Sequence, residues 1–113
     1  MIGSDPLVPC RGPLGVGVIG VGSMGLRHAR VYARLEQCRL VALCDRDTAR
    51  LEQARGSLGE VSVTTQLDEL LARRDIEAVS LCLPDNAHLQ AMLRCVEAGK
   101  HVLCEKPIGL SAA

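Results

Sequence analysis

The chain has 113 residues, 48% of them hydrophobic and 23% charged, with a formal net charge of zero. That size holds one domain with a real core, and the neutral balance offers no electrostatic attraction to nucleic acid or to an anionic membrane. Tyr32 stands without any Phe or Trp beside it, so a base-stacking platform for single strands is excluded as well.

Residues 1–13, MIGSDPLVPCRGP, lack the basic start and apolar run of a secretory signal and read as a flexible leader. From residue 14 short apolar runs alternate with helical patterns. LGVGVIG (14–20) is a first strand, and GLRHARVYARLEQ (25–37) spaces Leu26, Ala29, Val31, Tyr32 and Leu35 as a helix does. RLVALC (39–44) is a second strand, followed by the turn Asp45-Arg46-Asp47. TARLEQARGS is a short helix with Asp47 as N-cap and Gly56 beyond its end. VSVTT (61–65) is a third, weaker strand, and LDELLARRD (67–75) an amphipathic helix. AVSLCLP (78–84) is a fourth strand stopped by Pro84. NAHLQAMLRCVEAGK (86–100) is a helix closed by Gly99, and HVLCEKP (101–107) a fifth strand stopped by Pro107.

Short strands without polar alternation are those covered on both faces, as in a parallel sheet between helices. The alternation therefore predicts an α/β fold over residues 14–113, a doubly wound parallel sheet of spatial order 3-2-1-4-5. No apolar run reaches the roughly 18 residues of a membrane span. The six cysteines (10, 38, 44, 82, 95, 104) form no C-x-x-C pair and match no zinc spacing. They read as small buried hydrophobes of a reducing compartment, the cytoplasm, and no metal is expected.

The spacing G-x-G-x-x-G occurs twice, at Gly15, Gly17 and Gly20 and again at Gly20, Gly22 and Gly25. A dinucleotide loop needs a strand before it and a helix opening at its end. The first triplet lies within the strand, where its glycines only permit close packing. The second sits where strand turns to helix. There Gly20 allows the tight turn, Gly22 leaves room for a pyrophosphate, and Gly25 lets helix and strand pack closely. The backbone N–H groups of Ser23 and Met24 face the phosphates. Asp45 lies 20 residues beyond Gly25, where a carboxylate accepts bonds from a ribose diol, a reading preferred to that of a cap or turn residue before the next helix. A carboxylate there favours NAD over NADP, although the neighbouring Arg46 can stack on adenine or pair with a phosphate.

Gly99-Lys100-His101-Val102-Leu103-Cys104-Glu105-Lys106-Pro107 resembles the signature of the Gfo/Idh/MocA oxidoreductases, the glucose-fructose oxidoreductase and inositol dehydrogenase group. Leu83-Pro84-Asp85-Asn86-Ala87-His88 resembles that family's Pro-(Asn/Asp)-x-x-His turn, and the glycine loop with His28 in the following helix matches too. The resemblance covers residues 14–113. It implies an NAD(P)-dependent dehydrogenase of sugars, cyclitols or related polyols. Lys106 is then the catalytic residue, at the mouth of strand five. Glu105 bonds backbone or ribose groups nearby, and Pro84 and Asp85 line the cofactor cleft through their backbone. His88 falls at the same cleft, though as a residue type in a helix start it more often packs than carries protons, and His28 and His101 read as structural. The isomer of Pro107 stays open.

Members of that family run to several hundred residues and carry a C-terminal domain that supplies further catalytic groups and selects the substrate, and the full-length protein is expected to be a homo-oligomer. The present sequence reaches only the N-terminal domain, so it is expected to hold the cofactor and not to turn over a substrate alone. Two other roles stay open beside that one. The chain can be a dinucleotide-binding regulatory module, or a fragment without independent function whose fifth strand and severed helix leave apolar surface exposed.

Overall fold

The computed structural model describes residues 13–104. Strands and helices alternate through them as β1 (Leu14–Ile19), α1 (Ser23–Arg34), β2 (Cys38–Cys44), α2 (Thr48–Leu58), β3 (Ser62–Thr64), α3 (Leu67–Leu71), β4 (Ala78–Leu81), α4 (Asp85–Glu97) and β5 (His101–Cys104). Every strand pairing is parallel, and the order is β3-β2-β1-β4-β5, as the alternation of apolar runs predicts.

Successive residues of a strand point to opposite faces, and both faces here are covered. Val18 and Leu43 join Ala29 of α1 and Leu51 and Ala54 of α2 on one side. Ile19, Ala42, Val79 and Leu81 join Leu70 and Leu71 of α3 and Ala91 and Cys95 of α4 on the other. Leu43, Leu51, Leu70 and Leu81 are almost wholly buried, each stabilising the fold by about 1.5–3 kcal/mol. The chain moves outward from β1 through β2 to β3, then returns to the far side of β1 for β4 and β5. The switch point between β1 and β4 opens a crevice at the carboxyl ends of the strands.

Several boundaries differ from those the sequence predicts. Helix α1 spans Ser23–Arg34 rather than 25–37, so Gly25 lies within its first turn instead of opening it. Gly56 is not beyond the end of α2 but inside it. The helix runs on to Leu58, which packs on the core, and Gly59 closes it with φ +85°. Strand β4 ends at Leu81, before Pro84 can stop it; Pro84 is instead the residue that starts α4. Helix α3 is only Leu67–Leu71. Gly99 closes α4 as expected, with φ +80°. The N–H of Gly99 donates to the Val96 carbonyl, and that of Lys100 to the Cys95 carbonyl, the paired bonds of a Schellman turn.

Lys100 also has a structural task. Its Nζ donates to the carbonyls of Arg73 and Ile76 at 2.7 and 2.6 Å, pinning the α3–β4 connection to the β5 entrance. Beside it, β5 is the outermost strand of the sheet among the described residues, and α4 leaves Leu89, Leu93 and Val96 more than half exposed. Among the described residues no helix is long and apolar enough to cross a membrane.

Candidate cofactor site

The two glycine triplets separate cleanly once their surroundings are known. A Cβ on Gly15 would stand 1.8 Å from the Asp75 carbonyl oxygen, and one on Gly17 would press on Leu70 and Ile76 at 3.2 Å. These are packing glycines inside the sheet. Gly20 turns the chain out of β1 with φ +91°, a conformation L-residues avoid. Its N–H donates to the Cys44 carbonyl at 2.7 Å, which ties the turn to β2. A Cβ on Gly25 would lie 1.7 Å from the Gly20 carbonyl oxygen, so α1 rests backbone against backbone on the turn. Gly22 is different: within 4 Å its absent Cβ would meet Arg50 Nη1 alone, at 3.7 Å. It is the open position of the loop.

Helix α1 starts at this loop with no side-chain cap hydrogen bond and no acidic residue in its first turn. The amides of Ser23 and Met24 belong to that turn. By contrast α2 is capped within the chain, since Asp47 Oδ1 accepts from the N–H groups of Ala49 and Arg50. An uncapped helix N-terminus with an open glycine before it has the chemistry that receives a phosphate.

Asp45 closes the loop from the β2 side. Its Oδ2 accepts from the Val21 N–H at 2.8 Å and its Oδ1 from the Asp47 N–H at 2.8 Å. The turn-holding reading of this residue is thus seen directly, with the carboxylate lying just past the end of β2. An ionised carboxylate has about four acceptor positions, so two bonds leave capacity for a diol. Arg46 is exposed next to it. Arg50, which composition and spacing do not single out, reaches over Gly22 from α2 while pairing loosely with Asp47 at 3.7 Å. Only the tertiary contact reveals it.

On the far side of the crevice, Pro84 is exposed at the start of α4 with φ −60°. His88, in the next turn, is half-buried, and its Nδ1 is buried without a hydrogen-bond partner among the described residues. A buried nitrogen in that condition costs about 1–3 kcal/mol unless some further group bonds it. Glu105 and Lys106 lie outside the described residues. The residues that are described fit a dinucleotide: a side-chain-free approach at Gly22, an uncapped helix start and a held carboxylate at the end of β2.

Just beneath Asp45, Cys44 is buried on the α3–α4 face. Burial first, then the Asp45 and Cys95 charges, push its thiol up from 9.0 to about 11. The native state thus keeps this proton where the unfolded chain has lost it. The associated stability is complete below about pH 9 and is lost as pH rises from there toward 11, by about 2–3 kcal/mol. Urea midpoints measured between pH 8 and 11 should fall accordingly, and Cys44→Ala should flatten the decline; an unchanged slope in that variant removes Cys44 as its source.

With this geometry in place, comparison with other proteins is decisive. Residues 14–113 match the profile described as the oxidoreductase family GFO_IDH_MocA, NAD-binding Rossmann fold. The chain belongs to the Gfo/Idh/MocA family. It is 34% identical over 98 residues to the myo-inositol 2-dehydrogenase of Thermotoga maritima, covering 87% of this chain and 29% of that protein. Among solved structures it resembles the scyllo-inositol dehydrogenase of Lactobacillus casei with bound NAD(H) and scyllo-inositol. There the TM-score is 0.77 at 34% identity, over 84% of this chain and 28% of the other. A 3-ketoreductase from Actinomadura kijaniata, in complex with NADP and TDP-benzene, gives 0.78 at 31% identity over 85% and 30%. This Gfo/Idh/MocA chain thus spans less than a third of the length of these relatives. Solved proteins with NAD(H) and with NADP share its fold.

Proposed function

We propose that residues 14–113 are the cofactor-holding part of an NAD-dependent dehydrogenase acting on a cyclitol or related polyol. The observation that carries this reading is the Gly20–Gly25 turn, open only at Gly22, with an uncapped α1 behind it and Asp45 clamped at its side. The pyrophosphate of the cofactor is assigned to Gly22 and the amides of Ser23 and Met24, with Gly20 and Gly25 shaping the turn. The adenosine ribose is assigned to Asp45, with Arg46 at the adenine edge. Pro84 and His88 are assigned to the opposite wall of the cofactor cleft, and Glu105 to backbone or ribose groups beside it. Inositol dehydrogenases among the relatives support the substrate class.

A nicotinamide dinucleotide, when bound, supplies the acceptor for a hydride. The chain's share of the chemistry is to hold that acceptor still and to handle the proton that leaves the substrate hydroxyl. Lys106 has this second role, as a group that polarises the hydroxyl and takes up its proton. A second wall for the substrate comes from elsewhere in the protein, so the chain alone is expected to bind NAD without oxidising polyols.

Titration of NAD+ and NADP+ into the chain, by calorimetry and by thermal melting, tests the reading. NAD+ should bind and raise the melting temperature by mass action. It should bind more tightly than NADP+, because the Asp45 carboxylate repels a 2′-phosphate. Asp45→Asn should weaken NAD+ about tenfold and narrow the gap, with Arg46 and Arg50 attracting the extra phosphate. Equal or tighter NADP+ binding by the unaltered chain takes Asp45 out of this role.

A further inference from the structure

We propose that His28 is a positioning residue for the dinucleotide loop, acting through Ser80; the proposal rests on the cofactor reading above. Ser80 sits in β4 between Val79 and Leu81 and is wholly buried, as the core's buried polar side chain among the described residues. Its hydroxyl lies 2.6 Å from His28 Nδ1, across 52 residues of sequence. The thiol of Cys82, two residues further along, stands 3.7 Å from the same nitrogen and 3.9 Å from the Ser80 hydroxyl. The His28 ring also meets Tyr32 edge-on, with centroids 6.3 Å apart.

A polar pair with one partner buried and the other half-buried against an apolar layer is poor evidence of a stabilising role, because an apolar pair of the same shape serves about as well. What it adds is direction. Leu26, Ala29 and Tyr32 of α1 join an apolar cluster, and apolar contacts carry little directional preference of their own. A 2.6 Å bond to a fixed hydroxyl resists a small slide of the helix, since such bonds weaken steeply with distance and angle. The tie is also placed where a slide matters. The Cys82 carbonyl is the atom against which Gly20 is packed, and the Cys82 Cβ is the side-chain neighbour of Gly25. His28, Ser80 and Cys82 thus join the loop's own contacts on β4 to the second turn of α1. Setting α1 on β4 sets the height of the Ser23 and Met24 amides, and amides that bind phosphate must stand within about 0.5 Å of their productive position.

The test is a pair of variants that differ in reach. In asparagine the polar group occupies the place of the histidine Nδ1, whereas in glutamine it lies one bond further out, near Nε2. NADH affinity is read from the enhancement of its own fluorescence, in a chain free of Trp, with thermal melts on the same samples. His28→Asn should bind NADH within about threefold of the unaltered chain. His28→Gln and Ser80→Ala should each weaken it about tenfold, and the two together no further than either alone, as two ends of one contact. Equal affinities of the Asn and Gln variants overturn the proposal, as does wild-type affinity in Ser80→Ala. If Ser80→Ala does not melt cooperatively, the Asn and Gln pair decides. An unaltered chain that binds no NADH sinks the cofactor reading itself, a different result from variants that bind as it does.

Discussion

Gly25→Ala should unfold the domain or nearly so. The new methyl would stand 1.7 Å from the Gly20 carbonyl oxygen, backbone against backbone, where no flexible side chain can yield. Overpacking of this kind costs ~3 kcal/mol or more, against a total stability of about 5–15 kcal/mol for a domain. Denaturant melts measure the loss directly. Gly22→Ala is the informative contrast, because its methyl meets only the end of Arg50 at 3.7 Å and its φ of −66° suits any residue. That variant should lose about 1 kcal/mol at most, the cost of a poorer N-cap, yet bind NAD at least about tenfold more weakly. Folding lost at Gly25 and binding lost at Gly22 together separate the scaffold of the loop from its contact surface. A Gly22→Ala chain with unchanged NAD affinity moves the pyrophosphate away from this turn.

Lys106→Met, made in the protein that joins this chain to its substrate-binding part, should lower kcat by about a hundredfold to ten-thousandfold. Hydride transfer leaves a proton on the substrate oxygen, and the lysine is the group assigned to polarise that oxygen and accept the proton. Methionine keeps the length and apolar stem but removes the amine. NAD affinity should stay within about twofold, because the pyrophosphate and adenosine contacts are assigned to Gly20–Gly25 and Asp45, far along the sequence. A steady-state and binding comparison reads both quantities. Wild-type turnover in the variant reduces Lys106 to a surface lysine and leaves the proposed chemistry without its proton acceptor.

Element order, the five parallel strands and their spatial order were determined by local features of the sequence. Apolar runs such as LVALC and AVSLCL report burial on both faces, and Gly20 marks where the first run must turn. The choice between the two glycine triplets was also local, since a loop of this type needs a helix after it and only the second has one. The position of Asp45 followed from counting along the chain. Tertiary structure decided what each of these residues touches. Asp45 holds Val21 across 24 residues, and His28 meets Ser80 across 52. Neither partner can be named from spacing. Ser80 in AVSLCLP resembles a minor flaw in an apolar strand until α1 is laid over it. Gly56 resembles a helix end until Leu58 is seen packed on the core, where burial outweighs the roughly 1 kcal/mol a helical glycine costs. Arg50 is one arginine among many until α2 brings it above Gly22. Strand periodicity and turn chemistry act between near neighbours and are written in the chain. Directional contacts between distant segments exist only once the sheet has set their distance.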